Sequence, residues 1–295
     1  MAGVLPILPP LPSAAVEGSS SWRNPQIERW HLPALVFFLL VLVINGVIGA
    51  LTLRHIAAAP WLNQLILPAT ALTCLAGLAR RLPAQNVAMV GAVLAGLGWA
   101  VGCLEAGTGL PFGPLHFSDA FGIRLLGGVP WPYPFLWIAV VITGRGMARL
   151  ILRPYRKTTY YGFWVIGLAT FLAVAFDFCL EPFAAGAGGW WEWETSRFTG
   201  TWHGAPWVNF LGWAVAHGLF IAFVTPWLIN KQPVKQPMDF HPLSVWIALH
   251  GLVLIGNASQ GRWSAAGAGL LVAGITSGFA VRGARGISSS GQAQI

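Results

Sequence analysis

Eight apolar runs, each close to twenty residues long, leave this chain few possible folds. A helix needs about 20 mostly apolar residues to cross the ~30 Å hydrocarbon core of a bilayer. Runs of this kind extend from about His31 to Leu53, Trp61 to Ala79, Asn86 to Leu104 and Val129 to Leu152. Four more extend from about Tyr160 to Leu180, Pro206 to Ile229, Pro242 to Asn257 (the shortest) and Trp263 to Val281. Only 9% of the 295 residues are charged and mean hydropathy is +0.65, whereas a soluble domain carries about 25% charged residues. The expected fold class is therefore all-α, a polytopic membrane helix bundle of about eight spans. One transmembrane domain is expected over 31–281. It is flanked by a mobile Pro- and Ser-rich tail over 1–30, with no cleavable signal, and a C-terminal tail over 282–295. Sixteen Trp fit the aromatic belts of membrane interfaces.

Charge sets the expected orientation. Eight spans put both termini on one side. That side collects Arg23, Arg29, Arg80, Arg81, Arg153, Arg156, Lys157, Lys231, Lys235, Arg282 and Arg285, which is 11 basic residues. The other side has 4: Arg54, Arg124, Arg197 and Arg262. The positive-inside rule then makes the first side cytoplasmic. Basic residues scattered over short loops explain the net charge of +8 without a nucleic-acid partner. The expected surroundings are the lipid bilayer of a cell membrane. Cys74, Cys103 and Cys179 lie in apolar runs without CxxC spacing and read as small core residues.

The stretch from Glu105 to Pro134 interrupts this pattern. It opens Glu105-Ala-Gly-Thr-Gly-Leu-Pro-Phe-Gly-Pro114 and returns to apolar sequence at Gly127-Gly-Val-Pro-Trp-Pro-Tyr-Pro134. Three glycines and two prolines within ten residues disfavour an ordinary helix, yet the segment is too apolar for a solvated loop. Irregular backbone at membrane depth survives where it is buried in protein or lines a cavity. The expectation is an irregular segment folded in near the outer face that presents Glu105 to a pocket.

The chain has nine acids. Glu17, Glu28 and Asp239 have ordinary solvated readings, while Glu105, Asp119, Asp177, Glu181, Glu192 and Glu194 all fall on the outer half. Asp177 and Glu181 are four apart and share a helix face. Crowding and lost solvation favour a carboxyl group that keeps its proton near neutral pH. The alternative is a structural clamp onto Arg124 or Arg197. Glu192 and Glu194, in Trp190-Trp-Glu-Trp-Glu194, read as solvated acids in an interfacial aromatic patch whose tryptophans are placed to cap an apolar ligand.

Asn209 enters the sixth span from the outer side, where it is placed to position a water. His217, eight residues on, faces the same way about two turns deeper. It suits a proton relay or a helix–helix hydrogen bond. His250 and Asn257 have the same two readings, and Asn45 and Gln64 are weaker candidates. No His or Cys array with metal-ligand spacing, no lysine in a span and no phosphate-binding glycine loop occurs, so the expected chemistry is carboxylate acid–base catalysis with no cofactor and no metal.

The block Glu105–Pro114, the Gly-Val-Pro at 128–130, Asp177 through Glu181-Pro182, and Gly204-Ala-Pro-Trp-Val-Asn-Phe-Leu-Gly-Trp213 resemble one membrane family. It is the carotenoid biosynthesis proteins that include gamma-carotene 1',2'-hydratase and bisanhydrobacterioruberin hydratase. The resemblance runs from about Gly91 to Trp227, with the other spans agreeing in hydropathy. This chain departs from the pattern at Glu181-Pro182, where Asp-Pro is expected. The resemblance implies a hydro-lyase that adds water across the terminal C1=C2 double bond of a linear carotenoid such as lycopene or gamma-carotene. Glu105 and Asp177 would be the acid and base pair, in either order, with Asn209 positioning water and Glu181 as an orienting partner. Phe112, Trp131, Trp190, Trp191, Trp213 and His217 would line the substrate site, and other carotenoid enzymes are candidate partners. The rival reading is a non-catalytic carrier of an apolar or proton-coupled solute, since buried acids and broken segments also mark transporters.

Overall fold

A computed structural model of the chain describes residues 29–51, 60–194, 200–229 and 238–285. Eight helices in it are long and apolar enough to cross a membrane. They are α1 (His31–Ala50), α2 (Ile66–Ala79, led in by a helical turn over Pro60–Gln64), α3 (Ala84–Thr108), α4 (Tyr133–Ile151), α5 (Tyr161–Ala184), α6 (Trp207–Leu228), α7 (His241–Ser259) and α8 (Trp263–Arg285). The protein is an all-α polytopic membrane bundle. Most of the N-terminal tail expected over 1–30 lies outside the described residues, as do Arg54, Arg197, Lys231 and Lys235.

Three boundaries differ from expectation. Glu105 does not follow α3 but sits inside its last turns, because the helix runs on through Ala106, Gly107 and Thr108. It stops at Gly109, which adopts the left-handed conformation (φ 72°) and returns its N–H to the Glu105 carbonyl at 2.7 Å, a glycine C-cap. In contrast, α4 begins at Tyr133 rather than Val129, since Pro130 and Pro132 withhold the N–H groups an earlier turn would need. The seventh span is not short: at 19 residues it matches α4.

Helix α4 is the hub. It packs on α2, α3, α5, α6, α7 and α8, and 72% of its span is buried against 28% for α1 and for α8. Small residues let neighbours reach it. A Cβ on Gly98 would lie 2.7 Å from the Trp137 ring, and one on Gly102 would lie 2.9 Å from the Tyr133 ring. The two glycines are four apart on α3 and the two aromatics four apart on α4, so one small-residue face receives one aromatic face. Helices α3, α4, α5 and α6 form a ring, closed by packing of α3 on α6.

The ends of this ring differ. Where α3 and α5 finish and α4 and α6 begin, the connections fold back as a cover. Strand β1 (Leu115–Phe117) pairs antiparallel with β2 (Trp191–Trp193), with Leu115 opposite Trp193 and Phe117 opposite Trp191. The Glu105 segment and the Trp-rich connection, whose paired residues are 74 to 78 positions apart in sequence, are thereby joined into one ribbon. Alternation turns Leu115, Phe117 and Trp191 inward while His116 and Glu192 are exposed. A second ribbon, β3 (Thr201–Trp202) with β4 (Ala205–Pro206), turns at His203 and Gly204, both at positive φ, as a two-residue hairpin requires. It delivers the chain into α6, and Trp202 anchors it by donating to the Phe178 carbonyl of α5 at 2.8 Å.

Candidate active site

Three of the six outer-half acids converge under the cover. Glu105 from α3, and Asp177 and Glu181 from α5, are each 0–2% exposed. One α-helical turn separates Asp177 from Glu181, so both project to the same side, and the hairpin sets Asn209 in the first turn of α6 against them. The Asn209 amide nitrogen donates to Asp177 Oδ2 at 2.8 Å and to Glu181 Oε1 at 3.1 Å. The other oxygen of Glu181, Oε2, accepts the indole N–H groups of Trp191 (3.1 Å) and Trp193 (3.0 Å), both from β2. On the α3 side, the Tyr133 hydroxyl donates to Glu105 Oε2 at 3.0 Å. Tyr133 is fixed in turn by the Gly102 notch and by edge-on contact with Phe117 of β1.

Two carboxyl oxygens, Glu105 Oε1 and Asp177 Oδ1, are buried without a hydrogen-bond partner among the described residues, and so is the Trp137 indole nitrogen. Buried polar atoms are nearly always paired; Thr73, His217, His250, Asn257 and Ser277 also carry one unpartnered atom each, but Glu105 and Asp177 are the carboxyl groups among them. The three acids also lack a cation: no ion pair among the described residues involves them. The clamp onto Arg124 is not formed, since Arg124 pairs with exposed Asp119 at 2.8 Å, and Arg197 lies outside the described residues. Uncompensated charge is costly to bury.

Below the acids lies an aromatic wall. Phe112, from the folded-in segment, is 2% exposed and stacks on Trp137 with ring centroids 5.9 Å apart; Trp137 meets Trp213 at 4.9 Å and Phe220 at 4.8 Å. Gly212 on α6 makes room for the segment, because a Cβ there would stand 2.7 Å from the Pro111 carbonyl oxygen.

Residues 61–276 match the family described as carotenoid biosynthesis protein. The chain belongs to this family. The match extends beyond 91–227 on both sides, from the second span into the eighth. A stretch of 109 residues is 31% identical to bisanhydrobacterioruberin hydratase of Haloarcula japonica. It covers 37% of this chain, and the chain spans only 34% of that relative's length. No solved structure matches the chain.

The remaining candidates of this family member separate by place. Trp190 is buried at the end of the bundle, stacked on Phe121 with centroids 5.1 Å apart, and donates to Asn63 at 3.3 Å. Trp131 donates to Gln64 at 3.3 Å. Asn63 and Gln64 also donate to the Gly188 and Ala120 carbonyls, so these neighbours fasten both halves of the cover. Asn45 donates to the Val41 and Leu62 carbonyls. His217 bonds Thr170 of α5 at 3.2 Å, Asn257 donates to the Cys179 carbonyl at 3.0 Å, and His250 bonds the Trp246 carbonyl of its own helix. Glu192 is exposed and Glu194 pairs with His116. Among the described residues no cluster of His, Cys, Asp and Glu is arranged to hold a metal ion.

Sequence reasoning missed Tyr133, Trp137 and Trp193. The available signal was the matched spacing of Gly98 and Gly102 with Tyr133 and Trp137, and the alternation that puts Trp191 and Trp193 on one side of a strand.

Proposed function

We propose that this protein is a carotenoid hydratase that adds water across the C1=C2 bond of a linear ψ end group. The observation that carries the reading is the pair of unpartnered carboxyl oxygens, Glu105 Oε1 and Asp177 Oδ1, buried in a site with neutral donors and an aromatic wall. One of these acids gives its proton to C2 of the trisubstituted alkene. The C=C electron pair forms the new C–H bond and leaves a tertiary cation at C1, which the faces of Phe112, Trp137 and Trp213 attract. A water oxygen then bonds to C1 and its proton passes to the second carboxylate. The product is a tertiary alcohol. The proton gained by the base equals the one lost by the acid, so transfer between the two restores the site without an added co-reactant.

Asn209 directs its amide hydrogens at Asp177 and Glu181. Its carbonyl oxygen is the group left to position water, and its larger role is to fix the two acids. The aromatic residues of the cover, Trp131 and Trp190 among them, would close the site over the end group. The basic end of the bundle, with both termini, faces the cytoplasm, which puts the acids near the opposite surface.

The test is expression in a lycopene-making host in water enriched in heavy oxygen. A more polar pigment with the label in its new hydroxyl is expected. No new pigment, or label arriving only from O2, would overturn the reading. A C-terminal reporter active only outside the cell would overturn the orientation.

A further inference from the structure

Glu181 differs from the other two acids in what surrounds it. Its Oε2 accepts two indole N–H groups, from Trp191 and Trp193, and its Oε1 accepts the Asn209 amide. Three N–H donors therefore converge on one carboxyl group, and its one other side-chain partner among the described residues is the carboxyl group of Asp177. Glu105 receives one hydroxyl and Asp177 one amide, and each keeps a bare oxygen. Donors aimed at a carboxyl group favour its charged form, and N–H groups cannot accept a proton from it. A proton on Oε2 would meet two N–H groups with nowhere to bond, which is the costly arrangement in a buried site.

The donors are held by the ribbon. Trp191 is buried and Trp193 half-buried on β2, two residues apart and so on the same side of the strand. Their register is set by Leu115 and Phe117 of β1, and Trp191 also meets Phe121 edge-on at 5.9 Å. Neither indole has freedom to leave Glu181 without breaking the cover.

We infer that Trp191 and Trp193 are positioning residues that hold Glu181 as a permanent negative charge, opposite which the tertiary cation forms, so that proton transfer belongs to Glu105 and Asp177 alone. The inference rests on the hydratase reading. Glu181 then acts by electrostatic preorganisation, contributing most where positive charge develops and little to substrate binding.

The test uses the full-length protein in membranes. Trp193→Phe and Trp191→Phe keep a ring and remove an N–H. Each should lower kcat by ~10-fold or more, the scale set by loss of a preorganised donor, with KM within about twofold because Phe keeps an aromatic ring in the cover and only an N–H is lost. Product formation by the unsubstituted protein separates this test from failure of the hydratase reading itself. Unchanged kcat in both variants, or a KM effect alone, would overturn the inference. An infrared measurement covers the case in which a Trp variant does not accumulate. The C=O stretch of protonated carboxyl groups should lose intensity in Glu105→Gln or Asp177→Asn and be unchanged in Glu181→Gln. Loss of a protonated band in Glu181→Gln would show that Glu181 carries a proton and would refute the proposal.

Discussion

The two ends of the bundle treat their acids in opposite ways. At the basic end, Asp239 precedes α7 and is bracketed by Arg81 at 2.9 Å and Arg80 at 3.6 Å, and it also accepts the His241 backbone N–H. His241 in turn bonds His31 of α1 and the Thr73 carbonyl of α2. This acid has its countercharge and its donors, and it ties three elements together. At the other end, three acids share a site without a cation, served by an amide, a phenol and two indoles. A carboxylate matched by cations is stable and inert. Acids offered only neutral donors remain available to exchange protons and to face a developing positive charge. The contrast separates an acid paired with cations from acids offered only neutral donors.

The comparison breaks most sharply at Glu105 and Asp177. Glu105→Gln and Asp177→Asn keep the side-chain shape and remove the exchangeable proton. Each should reduce hydration by at least ~10²-fold, the lower range for a general acid or base, while the protein still accumulates in the membrane. Pigment analysis in the lycopene-making host reads this directly. Near-normal activity in both variants would leave the two ends without a functional difference.

Moving the acid instead of removing it is the next test. Gly102→Leu would drive a side chain into the Tyr133 ring, and overpacking of this kind costs about 1–3 kcal/mol. Lower thermal stability in detergent and a loss of activity exceeding the loss of folded protein are expected, because the Tyr133–Glu105 bond depends on that notch. Gly107→Ala, where a Cβ meets open space, is the control and should be silent.

Asp239→Asn sharpens the contrast from the other side. It should leave hydration intact and lower stability by ~1 kcal/mol, since its partners are partly exposed and such pairs contribute little. A loss of turnover comparable with that of Asp177→Asn would mean that the basic end also serves the reaction. The smallest effect belongs to Glu192→Gln on the exposed side of β2. Stability should stay within ±0.5 kcal/mol and pigment yield should not change.

Much of this was legible before folding. Run length and charge scarcity determine an eight-span helical bundle, because a bilayer accepts only segments that satisfy their own backbone hydrogen bonds. The asymmetry of basic residues separates the ends. The coincidence of Glu105 with the Gly/Pro block, and the four-residue spacing of Asp177 and Glu181, single out three acids by local rules alone. Tertiary structure decided the rest. Only packing shows that Glu105 meets Tyr133, that Asn209 spans Asp177 and Glu181, and that a ribbon between residues 115–117 and 191–193 brings two indoles to one carboxyl oxygen. These contacts join residues 10 to 32 positions apart on different elements. Their geometry depends on which helix faces meet, and that was settled by where Gly98, Gly102 and Gly212 let large rings and a folded-in segment approach, a matter of shape that hydropathy and charge do not encode.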